Sequence, residues 1–222
     1  MKISNTTIKI LKDLARYNPH IVIQSGNVIK TVNDRKTVFI KAVVEEEFPT
    51  EIALHDLSGF LRVVTLFNEP DFEFNVDHVI ISDDSGSQQE YQYSDKEDLM
   101  YDERNVYFPE TDIVLEISEG KFDKVIKACN TNKVEDIAIV GEGRGGVSIK
   151  ALNKEQPTRV FSTLISRDDL GEFTVYLKPT IKLLSKVDYV LEISDQKIVR
   201  FSAKVGDAEV SYIVAAEVDS EF

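Results

Sequence analysis

The chain is poor in the residues that most often carry chemistry. It has one cysteine, Cys129, in 222 residues, which excludes an internal disulfide and fits a reducing compartment. Its three histidines, His20, His55 and His78, lie far apart and share no metal-ligand spacing. No apolar run approaches the roughly 20 residues that a bilayer-spanning helix needs. The opening MKISNTTIKILKDL is mixed in charge and lacks an apolar core, so no signal peptide is expected. Positive charge is scarce too, with 26 lysines and arginines against 39 acids and a net charge of -13. That balance argues against a uniformly basic nucleic-acid binder but leaves room for a basic patch on an acidic body.

What is present is ordinary in amount and ordered in arrangement. A hydrophobic share of 42% is that of a globular protein, and the length suits one large domain or two of about 110 residues. Apolar periodicity predicts helices at Asn5–Tyr17, Asp56–Asn68, Gly120–Asn132 and within Leu177–Val187, the last opened by Pro179 in its first turn. Alternating runs predict strands at His20–Gln24, Val28–Val32, Thr37–Val44, Glu51–Leu54, Asp71–Val76, Val79–Ser82 and about Ser87–Tyr93. After an acidic linker, Ser94–Pro109, strands resume at Asp112–Ser118, Glu135–Val140, Val147–Leu152, Thr158–Ile165, Glu172–Leu177, Asp188–Ser194, Gln196–Ala203 and Ala208–Glu217.

The order of elements repeats. Ile3-Ser4 with Ile8 and Leu11 matches Ile117-Ser118 with Phe122 and Val125 at an offset of 114. Leu57 with Arg62-Val63-Val64 matches Leu177 with Lys182-Leu183-Leu184 at an offset of 120. The expectation is an α+β protein of two similar domains, 1–108 (with the linker at about 94–108) and 109–222, each two helices on antiparallel sheet.

Charge is sorted between these elements. The four helical stretches carry +2, 0, +2 and +3, so the rest of the chain holds -20. Lys9, Lys12 and Arg16 share one face of the first helix, and Arg62 faces outward on the second. Lys121, Lys124 and Lys127 do so on the third, and Lys178, Lys182 and Lys186 on the fourth. Solvated lysine, a good helix former, accounts for any one stripe. It accounts less well for the shortage of glutamate, which favours helix equally and is abundant elsewhere.

Other patterns weigh less. Gly141-Glu-Gly-Arg-Gly-Gly146 fits GxGxxG, but an alternating strand rather than a helix follows, so a hairpin is expected, with Arg144 solvated at its tip. Glu45–Glu47 and Asp83-Asp84 read as solvated loops, with a two-carboxylate hydrolase formally open. Cys129 falls on the apolar face of its helix and reads as core.

At DLSGFLRVVTLFN (Asp56–Asn68) and SYIVAAEVDSEF (Ser211–Phe222) the chain resembles the DNA polymerase sliding clamps of T-even-type bacteriophages, relatives of proliferating cell nuclear antigen. MKIS…TIKILKDLA and the overall length agree; Asp83–Glu110 departs most. The resemblance implies the DNA clamp fold and a head-to-tail homotrimer, a closed ring of six domains with helices lining the hole. It implies a non-enzymatic processivity factor without cofactor or metal, acting in the cytoplasm of an infected host. Implied partners are duplex DNA, the replicative polymerase, a clamp-loader ATPase and late-transcription factors. A partner-peptide pocket would then lie among Leu99, Met100, Val106, Phe108, Val214, Ala216 and Val218. The reading outside this family is an acidic β-rich adaptor that binds proteins only. An enzyme at the Gly-rich turn is the remote third.

Overall fold

The computed structural model describes residues 1–99, 101 and 106–222. It divides into two units, Met1–Asn105 with Lys204–Val210, and Val106–Ala203 with Ser211–Phe222.

In the first unit, Ser4 caps α1 (Asn5–Leu14), its side chain accepting from the Thr7 amide. Ile10, Leu11 and Leu14 recur at helical spacing and are buried. The residues up to Tyr17 close the helix in tighter turns, with Arg16 N–H donating to Asp13 O and Tyr17 N–H to Leu14 O, before Pro19. Then come β1 (Ile21–Ile23), β2 (Gly26–Val32), β3 (Val38–Phe48) and β4 (Ile52–Leu54). β1 pairs antiparallel with β4, and β2 with β3. Asp56 caps α2 (Leu57–Val64) by accepting the Gly59 amide at 2.7 Å. α2 packs on α1 and buries Leu57, Phe60, Leu61 and Val64. An antiparallel meander follows, β5 (Asp71–Phe74), β6 (His78–Ser82) and β7 (Gln88–Gln92).

The second unit opens with β8 (Ile113–Ile117) and α3 (Glu119–Asn132), whose N-cap is Ser118. α3 ends at Lys133 in the left-handed conformation, φ 55°. β9 (Asp136–Glu142), β10 (Val147–Leu152), β11 (Phe161–Ser166) and β12 (Glu172–Leu177) form an antiparallel sheet in the order β11-β10-β9-β12, which α3 covers. β13 (Tyr189–Ser194) pairs with β8 and with β14 (Ile198–Val205), and β15 (Ala208–Ala215) follows. Phe122, Phe201 and Tyr212 pack edge-on around the buried Tyr189. The tail runs along the free margin of β12, with Thr174 and Glu221 exchanging N–H···O bonds of 2.8 Å.

The repeat holds at the level of pairing. β1 pairs with β4 as β9 does with β12; β2 with β3 as β10 with β11; β5 with β6 as β13 with β14. Ser4 and Ser118, 114 residues apart, both occupy N-cap positions, though only the Ser4 side chain makes a capping bond. The counterpart of β8 in the first unit shrinks to one bridge, Lys2 opposite Asp71.

Two local expectations change. Glu45–Glu47 is the end of β3 rather than a loop. Glu46 accepts from the Ser4 amide and from the Thr7 hydroxyl at 2.6 Å, so an acidic run that looked solvated holds the start of α1. The fourth helical element is a five-residue 3-10 turn, Pro179–Leu183, rather than an amphipathic α-helix through Val187. At the offset of 120, Tyr176 stands where Asp56 caps α2, so no carboxylate nucleates it. Leu184 then turns extended (ψ 146°), and Ser185 drops into the core, where its carbonyl accepts from the Tyr189 hydroxyl.

Candidate nucleic-acid interface

The basic side chains sit on the helical elements and differ in how their own chain engages them. On α1, Lys9, Lys12 and Arg16 are exposed opposite the buried Ile10, Leu11 and Leu14. Lys9 and Lys12 form no ion pair among the described residues, while Arg16 lies 3.5 Å from Asp13. On α2, exposed Arg62 reaches back 3.3 Å to Asp56, the same carboxylate that caps the helix.

The second unit is more heavily paired. Lys121, Lys124 and Lys127 are exposed on α3. Lys127 meets Asp123 at 2.5 Å, one helical turn back. Lys186, beyond the 3-10 turn, reaches the other oxygen of Asp123 at 2.9 Å. Hydrogen bonds from these two ammonium groups hold the Asp123 carboxyl below the usual carboxylate range. Lys182 is half-buried and donates to Val134 O at 3.3 Å. Lys178 meets Glu217 at 3.4 Å. Glu217 and Asp219 also clasp Lys154 at 2.7 and 2.8 Å, which pushes the Lys154 ammonium up and both carboxyls down. Of the ten expected cations, Lys9, Lys12, Lys121 and Lys124 thus have no carboxylate or carbonyl partner among the described residues. Exposed ion pairs contribute about 0–1 kcal/mol each, so the paired cations remain exchangeable with an incoming anion.

The residues expected to form a peptide pocket lie in different settings. Leu99 packs with Val22 and Ala53 in a small cluster of the first unit, flanked by Tyr101. Met100 lies outside the described residues. In the second unit Phe108 is buried beneath the Arg200 guanidinium, 4.5 Å from the ring centre, and Val106 is half-buried. Val214 and Ala216 are buried, whereas Val218 is 89% exposed.

The Gly-rich segment is the β9–β10 hairpin, turning through Gly143–Gly145. Gly146 has φ 80°, and a Cβ there would stand 2.4 Å from Ser166 O, so this glycine serves backbone packing. Cys129 is buried as read from its helix face. His20 and His55, distant in sequence, come together with ring centres 4.5 Å apart and His20 Nδ1 2.6 Å from His55 O. No group of three or more His, Cys, Asp or Glu suited to a metal occurs among the described residues.

Sequence reasoning missed the shared Asp123, the Lys154 clasp and the Glu46 anchor. Only the i,i+4 spacing of Asp123 and Lys127 could have signalled any of them.

No model of a known protein family matches the chain. It is 25% identical to the sliding clamp of Escherichia phage RB69 over 99% of this chain and 98% of that protein. It is 26% identical to the sliding clamp of Vibrio phage KVP40, over 98% of this chain and 99% of that one. It is also 26% identical to the sliding clamp of Enterobacteria phage T4, over 99% and 98%. Among solved structures, the fold is similar to proliferating cell nuclear antigen from Entamoeba histolytica, with a TM-score of 0.72 at 12% identity over 96% of this chain and 95% of that one. It is equally similar to that antigen from A. fulgidus, solved with the C-terminal region of FEN-1 bound, with a TM-score of 0.72 at 14% identity over 96% of each chain.

Proposed function

We infer that this chain is a sliding clamp of the T-even-type bacteriophage class, in the superfamily of proliferating cell nuclear antigen, and that it tethers a DNA polymerase to duplex DNA. The observation that carries the reading is similarity along nearly the full length of chain and relative alike, to three proteins each described as a sliding clamp. The duplicated α+β units are what such a clamp requires.

In the proposed assembly three copies join head to tail, and the rotation closes a ring of six units. The helical elements face the hole, where Lys9, Lys12, Lys121 and Lys124 meet phosphates without reading bases. Contacts must be weak, because a ring that slides must not stick. The acidic exterior repels the duplex and leaves the hole as the favourable place for it. Retention is then topological, and no bond of the DNA is made or broken by the clamp. A polymerase that lets go remains at high local concentration and rebinds.

Further partners belong to the same proposal: a loader ATPase that opens the ring, and factors that recruit late transcription, in the cytoplasm of an infected host. Their peptide ends would dock near Phe108, Ala216 and Val218. The A. fulgidus relative, solved with a C-terminal region of FEN-1 bound, supports docking of that kind.

The test is loading onto nicked circular DNA followed by linearisation. A topologically held ring stays on the circle and slides off the linear ends; loss at equal rates from both overturns the reading. A strict monomer at micromolar concentration does so too. Lys124→Glu combined with Lys182→Glu should lower processivity, whereas an adaptor that binds only proteins would be indifferent to both changes.

A further inference from the structure

The ten basic side chains are unequal, and one carboxylate makes much of the difference in the second unit. Asp123 lies half-buried on α3, one residue before Lys124 and one turn before Lys127, at the edge of the stripe that the clamp reading assigns to phosphate. Its two oxygens take different partners, Oδ2 bonding Lys127 at 2.5 Å and Oδ1 bonding Lys186 at 2.9 Å. The partners come from separate stretches of chain, the same helix and the segment after the 3-10 turn. Asp123 is thus a point at which these two basic elements share an anion. At the offset of 114 the first unit has Lys9 in its place, exposed and without an ion pair among the described residues. The duplication has put opposite charges at matching positions.

Resting on the clamp reading, we propose that Asp123 acts as an internal substitute for a DNA phosphate, occupying Lys127 and Lys186 so that the second unit grips the duplex more weakly than its lysine count implies. A phosphate approaching either lysine must displace a carboxylate already in place. The gain is the difference between two ion pairs rather than the whole of one. Lys121 and Lys124 keep their full attraction. The contact is thereby held near the level at which counterion release retains the duplex in the hole without arresting it. Asp123 touches no substrate in this account; it is a positioning residue that acts through two cations.

The salt dependence of DNA binding reads this directly, because each phosphate neutralised on B-DNA steepens the plot of log affinity against log salt by about 0.9. The experiment measures affinity of the full-length protein for a mixed-sequence linear duplex across a fourfold range of salt. Asp123→Asn keeps the side chain's shape and frees both lysines. The variant should lose more affinity than wild type over that range, by about 3.5-fold for one added contact and about 12-fold for two. Adding Lys127→Gln and Lys186→Gln to the variant should return the slope towards wild type. A slope unchanged in Asp123→Asn overturns the inference while leaving the clamp reading standing. So does a steeper slope that survives loss of both lysines, since the gain then arises elsewhere. Wild-type protein with no salt-dependent affinity for duplex also overturns the inference, whereas the clamp reading, in which retention is topological, stands or falls on the linearisation test. Thermal melting separates a folding role: Asp123 is half-buried, and the near-isosteric Asp123→Asn should leave the midpoint close to wild type.

Discussion

Replacing Glu46 tests whether the acidic end of β3 anchors the helix bearing Lys9 and Lys12. Glu46 accepts from the Ser4 amide and, at 2.6 Å, from the Thr7 hydroxyl; Thr7 is 1% exposed. Glu46→Ala leaves two donors at the first turn of α1 without that acceptor, the hydroxyl in a buried position. Hydrogen bonds to charged groups are worth about 1.5–3 kcal/mol, and stranding a buried donor costs about 1–3 kcal/mol. Water reaches the half-exposed carboxylate, so about 2 kcal/mol is the expected loss. For a chain of this size that is a fall of about 4–8 °C in melting midpoint at fixed protein concentration. Glu46→Gln adds a test by pH. Burial raises the Glu46 carboxyl, but hydrogen bonds from Thr7 and Ser4 outweigh it and leave the folded group below its ordinary value. A depressed pKa means stabilisation that is complete above the unfolded value and lost as pH falls through the folded one. Wild type and Glu46→Gln should therefore differ by a constant amount at pH 6–8 and converge below about pH 4. Equal midpoints at neutral pH, or a gap that persists in acid, would refute the anchoring argument.

Asp56→Ala removes the N-cap of α2 and should cost about 1 kcal/mol in denaturant unfolding. Gly146→Ala must hold φ 80° with its Cβ 2.4 Å from Ser166 O, and should cost more than about 1 kcal/mol, seen as a lower unfolding midpoint. Burial pushes the Cys129 thiol up, so a thiol reagent should modify it slowly in native protein and promptly in denaturant. Rapid native labelling would show that α3 opens readily.

Much of the architecture was legible where burial alternates or recurs regularly. β10 and β12 match their expected bounds to the residue, because Val147, Ile149 and Ala151, and Phe173, Val175 and Leu177, face inward in strict alternation. The offset of 114 correctly paired the serines at the two N-cap positions. What escaped was tertiary in origin. Glu45–Glu47 looked like a loop because nothing local says that α1 will bring two donors to Glu46. Lys178–Val187 has helical apolar spacing, yet the burial of Ser185 ends the turn after five residues. The basic residues could be picked from sequence, but which of them a carboxylate already holds depends on contacts such as Asp123 with Lys186, 63 positions away.

The tail that runs along β12 bears on how this protein is handled. Its final residues are stitched by paired amides into a sheet margin, and a Lys154 clasp holds Glu217 and Asp219 beside it. A purification handle or dye attached after Phe222 would pull on that seam. The exposed turn between β6 and β7, from Asp83 to Ser87, is closed by its own local bonds and is the gentler place to hang a label.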